Sequence, residues 1–124
     1  MNKTHPYHLS VAVVAEHFGL SARTVRDYLK SSKLAGTRIE GAWRLSWPDV
    51  WAAEQGPTPR GARQDHYTQP LLSKRQLAAQ WGVSARTVER WITDGLPTRN
   101  VFGNVRIAPV DASDWTRRHF GPRQ

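Results

Sequence analysis

From Leu9 onward the apolar residues recur with a helical period. Val11, Val14, Ala15 and Phe18 fall on one stripe, Ser10 stands where an N-cap belongs, and Gly19 is placed to end the helix in a left-handed conformation. Ser21 then caps a second predicted helix. Val25, Tyr28 and Leu29 share one face of it; Arg23, Arg26, Asp27 and Lys30 form the other. The pattern next changes to that of a strand. Thr37-Arg38-Ile39, a turn at Glu40-Gly41 and Ala42–Ser46 read as a hairpin, and Pro48–Glu54 as a short helix with Pro in its first position.

The same order then returns. The string SARTV occurs at Ser21–Val25 and again at Ser84–Val88, and the match extends so that residues 9–29 face 72–92. Ser73 with Gln76 matches a capping box, Leu77, Ala78 and Trp81 supply the apolar stripe, and Gly82 ends the first helix. Behind Ser84, Val88, Trp91 and Ile92 face inward while Arg86, Glu89, Arg90 and Thr93 face outward. A hairpin is expected over Thr98–Phe102, turn Gly103-Asn104 and Val105–Ala108, and a last helix over Ala112–His119 with Asp111 as N-cap. Two copies imply an internal duplication; a solenoid needs more. Residues 54–70, EQGPTPRGARQDHYTQP, are punctuated by Gly and Pro without periodicity and read as a flexible linker.

Composition narrows the class. Apolar residues make up 39% of the 124, six of them Trp, so a core is within reach. Two domains of about 50–60 residues would each lie near the lower limit for folding without staples. With no Cys, disulfides and thiolate zinc sites are excluded. No apolar run approaches the roughly 18 residues that span a bilayer, and MNKTHPYHLS lacks the apolar segment of a secretory signal, so a cytoplasmic, membrane-free protein is expected. The charge is the most informative quantity. Eighteen Lys and Arg against ten Asp and Glu give +8 and a pI near 10.8, which favours a polyanionic partner, nucleic acid before an acidic membrane surface.

Two short helices with a tight Gly-containing turn, followed by a hairpin, form a helix-turn-helix with a wing. The order of a Ser-capped helix, G-[LV]-S-x-R-T-V-x-x-[YW]-[LI], a Gly-containing hairpin ending in Arg-[LI] and a closing helix resembles the MerR-like winged helix-turn-helix of phage and plasmid excisionases. The second copy fits best, through Val83–Ile92, Gly95-Leu96-Pro97, Arg106-Ile107, Asp111 and Trp115. The first departs at Lys33-Leu34-Ala35, at a residue missing after Trp47, and at Ala53 where the family has Trp. The expected fold is therefore mainly α with small β wings: two tandem winged helix-turn-helix domains, 1–54 and 70–124, joined by a flexible linker at 55–69.

For such a fold the second helix of each copy is the expected major-groove reader. Arg23, Arg26, Arg86 and Arg90 suit guanine, and Lys30 suits a phosphate. Thr24 and Thr87 would stabilise the first turn or touch phosphate, and Thr93 lies on the same outward face. Asp27 and Glu89 suit a cytosine amino group, an intrahelical ion pair or a solubilising role. In the wings Arg38, Arg44, Arg99 and Arg106 can reach the backbone or minor groove, with a structural pairing role equally open to Arg44 and Arg106. The swap from Arg26-Asp27 to Glu89-Arg90 implies different preferred bases in the two halves of a site.

Catalysis is not expected: phosphate-cradling Gly loop, Cys nucleophile and His pair at helical metal spacing are all missing, and no cofactor or metal is implied. His5, His8, His17, His66 and His119 read as ordinary surface residues. The six Trp read as core anchors, with Trp43 and Trp47 the two placed to stack on a partner. Two functions follow. One is sequence-specific binding of double-stranded DNA at a bipartite site by a small excisionase or transcription regulator, for which a monomer suffices in principle because its modules are tandem. The other is an adaptor that contacts an integrase, polymerase or packaging enzyme, or the transcription machinery, and touches DNA only loosely.

Overall fold

The computed structural model describes residues 5–121; Met1–Thr4 of the N-terminal segment and residues 122–124 lie outside it. The fold is mixed, about half helical, with two small antiparallel sheets. The first repeat supplies α1 (Val11–Phe18), α2 (Ala22–Lys30), the hairpin β1 (Thr37–Ile39) and β2 (Ala42–Arg44), and α3 (Trp47–Ala53). A two-residue strand, β3 (Glu54–Gln55), and a 3-10 helix (Gly61–Tyr67) follow. The second repeat supplies α4 (Lys74–Trp81), α5 (Ala85–Thr93), β4 (Arg99–Val101), β5 (Asn104–Arg106) and α6 (Pro109–Phe120).

The caps fall where the Ser residues put them. Ser10, Ser21, Ser73 and Ser84 each accept a backbone N–H three residues on, and Ser73 forms the full capping box with Gln76. Gly19 and Gly82 close α1 and α4 at φ 70° and 66°. In both repeats the strand-like residue ahead of the first helix pairs with the end of the hairpin, Leu9 with Leu45 and Leu72 with Ile107. Two helix starts and one turn differ from the expectation. Helix α3 begins one residue earlier, at Trp47, because Ser46 and Asp49 form a capping box around its start. Helix α6 begins at Pro109, so Asp111 lies in its first turn and not at the cap. The second hairpin turns at Phe102-Gly103, both at positive φ, as Glu40-Gly41 do in the first.

The segment expected to be a flexible linker is built into the molecule. Strand β3 pairs antiparallel with β4, extending the second hairpin to a sheet of order β3-β4-β5. The Trp51 indole N–H donates to the carbonyl of Tyr67 at 3.2 Å, and the Tyr67 hydroxyl donates to Asp111 Oδ1 at 2.6 Å. One hydrophobic cluster joins Val14, Phe18, Val25, Leu29, Leu34, Leu45 and Val50 of the first repeat to Leu71, Val101 and Ala108 of the second. A second cluster lies within the second repeat around Leu77, Val88, Trp91, Leu96, Ile107 and Trp115.

Candidate nucleic-acid interface

On α2 the inward positions Val25 and Leu29 are buried, so the helical period leaves Arg23, Arg26, Asp27 and Lys30 exposed together. Thr24 is half-buried: its N–H bonds Ser21 Oγ at 3.1 Å and its hydroxyl accepts from Ser21 at 2.8 Å, which holds the first turn. Helix α5 repeats the arrangement. Arg86, Glu89, Arg90 and Thr93 are exposed, Thr87 mirrors Thr24 in its bonds to Ser84, and Thr93 turns its hydroxyl back onto the Glu89 carbonyl.

The first hairpin stands beside α2. Arg26 and Lys30 from the helix, with Arg38 and Arg44 from β1 and β2, line one open groove of about 460 Å³ floored by Trp43. The Arg38 guanidinium lies 4.7 Å above the Trp43 ring, a cation–π contact, and donates to the Gly41 carbonyl at 3.0 Å, while Arg44 donates to the Trp43 carbonyl at 3.2 Å. Among the described residues, no ion pair engages Arg23, Arg26, Lys30, Arg38, Arg44, Arg86 or Arg90. The groove therefore gathers positive charge that no carboxylate neutralises. A second groove, of about 520 Å³ between the 3-10 helix and α6, differs in this respect: Asp114 lies 3.1 Å from Arg63 across it and 3.7 Å from Arg117 on its own helix.

The second hairpin is not a free wing, and here the expectation for Arg99 is corrected. Arg99 is 3% exposed, its Nε 3.3 Å from Glu54 Oε1, and it donates to the Pro57 carbonyl at 2.7 Å. A guanidinium enclosed in this way cannot reach a phosphate. Arg106 donates to the carbonyls of Phe18 at 2.9 Å and Gly19 at 3.2 Å, capping the negative end of α1, so its structural role is the one realised. Phe102, at the turn, stacks on Tyr28 of α2 with centroids 3.9 Å apart and meets Phe18 edge-on.

His17 corrects the surface reading of the histidines. It is 2% exposed, donates from Nε2 to Glu54 Oε2 at 2.8 Å, and meets Trp47 edge-on at 5.0 Å. Glu54 thus lies between His17 and Arg99, one from each repeat. The helical period carried the signal, since position 17 follows Val14 by one turn. Trp47 also stacks on Trp51, which leaves Trp43 as the half-buried Trp under the basic groove. No described helix is long and apolar enough to cross a membrane. No protein-family model matches the chain, and no curated protein or solved structure was found similar to it.

Proposed function

We propose that the protein binds double-stranded DNA through tandem helix-turn-helix units, with α2 and α5 as the major-groove helices and the first hairpin as a wing on the backbone. The observation that carries this reading is the groove that brings Arg26, Lys30, Arg38 and Arg44 together beside the exposed face of α2 without a neutralising carboxylate. A nine-residue helix is about 13 Å long, the right scale for the width of a major groove. Arg26 on α2 and the pair Arg86/Arg90 on α5 supply the fork geometry that reads guanine, and Lys30, Arg38 and Arg44 supply phosphate contacts. A polyanion also accounts for the net charge of +8. Sequence preference comes from the outward faces, where Arg26-Asp27 and Glu89-Arg90 differ. The biological setting that suits so small a reader is a recombination accessory factor or a transcription regulator.

Amide-shift mapping by NMR during titration with a short duplex tests the reading. The largest changes are expected over residues 21–30, 37–44 and 84–93, with the Arg99 and Arg106 side-chain signals unmoved. Changes confined to the Arg63–Arg117 groove, or none at all, would refute it.

A further inference from the structure

The two hairpins occupy matching places in the repeats, yet only one is free. In the first, Arg38, Ile39, Glu40 and Gly41 are exposed. In the second, Arg99, Val101 and Phe102 stand where the first has Thr37, Ile39 and Glu40, and each is turned inward: Arg99 at 3% and Val101 at 0% exposure, Phe102 against Tyr28. Three positions at which the hairpins differ thus dock the second one on the first repeat, and Arg106, in the place of Arg44, docks with them.

We infer that the second hairpin is a clasp that holds α2 and α5 in one relative orientation, so that the protein accepts DNA half-sites at a single spacing and order. The inference rests on the duplex-binding reading above. Four contacts from different elements make the clasp. They are the β3–β4 pairing, the His17–Glu54–Arg99 group, the Arg106 cap on α1 and the Phe102–Tyr28 stack. The Leu71 N–H adds a bond to the His17 carbonyl at 2.9 Å. Independent rotation of the repeats has to break all of these together, and it exposes a charged group buried on every side. A flexible tether that only raises local concentration would accept a range of spacings. A rigid pair does not. One inserted base pair moves the second half-site by about 3.4 Å and turns it by about 35°, and the side chains of α5 cannot follow. Such a site keeps the contacts of one helix and loses those of the other.

Two measurements test this together. Sites are selected from a random duplex pool, and affinity is then measured for versions with one to five base pairs inserted between the halves. Because the chain has no Cys, spin labels can be placed on the exposed positions Lys33→Cys and Asp94→Cys, outside the reading faces, and the distance between them measured without DNA. The expected result is one narrow distance distribution, with every insertion weakening binding at least about tenfold, to the level of a single half-site. A broad distance distribution, or equal affinity across spacings, overturns the clasp and leaves DNA binding standing. A narrow distribution with no binding to any duplex overturns instead the reading on which the inference rests. Phe102→Asn with Arg106→Gln is the matching variant, since Asn tolerates the positive φ of that turn. It is expected to widen the distance distribution, and an unchanged one counts against the clasp.

Discussion

Gly19 and Gly82 stand at matching ends of α1 and α4, with nearly the same backbone angles. A Cβ at Gly82 meets nothing within 4 Å, whereas one at Gly19 comes within 3.2 Å of Arg106 Nε. Gly82→Ala is therefore expected to cost only the left-handed backbone, about 1 kcal/mol. Gly19→Ala also makes the Arg106 guanidinium yield by a few tenths of an ångström, which strains its bonds to two carbonyls, so a loss larger by up to about 1 kcal/mol is expected. Urea unfolding of both variants checks this, and equal losses contradict the role given to Arg106. At this scale the exposed faces of α2 and α5 were readable from the chain alone, because a nine-residue amphipathic pattern fixes which arginines point outward. The fate of Arg99 and Arg106 was not. Both alternate like ordinary strand residues; only the arrival of Glu54 buries Arg99, and only the end of α1 engages Arg106. Phe102 carried an unread signal: an aromatic in a tight turn, where the other repeat has Glu, marks a turn that is covered.

Among the elements, the cap residues and the apolar stripes placed α1, α2, α4 and α5; α3 and α6 were expected but start one and three residues earlier than their Pro and Asp signals indicate, and the hairpins followed from strand alternation around a Gly turn. The segment between the repeats was illegible because its order comes from distant partners. A two-residue strand has no period of its own, and the 3-10 helix is held by Trp51 and Asp111 through Tyr67. Burial raises the pKa of the Tyr67 hydroxyl above its ordinary value near 10, and the bond to Asp111 raises it further, against a smaller opposing pull from Arg63. The folded state then holds this proton more tightly than the unfolded chain. Its contribution to stability is complete below about pH 10 and is lost as pH rises through the higher folded value. Tyr67→Phe is expected to lower stability by about 1 kcal/mol at neutral pH. The gap to the wild type should stay constant up to about pH 9 and narrow beyond 10. A gap independent of pH throughout thermal melts from pH 7 to 11 contradicts the assignment.

The whole molecule joins a duplicated sequence into one body with unequal halves. The first repeat offers a helix and a free hairpin around a basic groove; the second offers a helix and spends its hairpin on the joint. The central claim is that the exposed cations of α2, α5 and the first hairpin meet the phosphates of a duplex. Its most direct measurement is the affinity for a random-sequence duplex across a salt series. Each phosphate neutralised contributes about −0.9 to the slope of log affinity against log salt, so four to seven contacts give a slope between roughly −3.6 and −6.3. Replacing Arg26, Lys30, Arg38 and Arg44 with Gln should flatten that slope by about 3.6, while Arg106→Gln leaves it unchanged. A wild-type slope shallower than about −1, or binding too weak to detect at low salt, contradicts the claim.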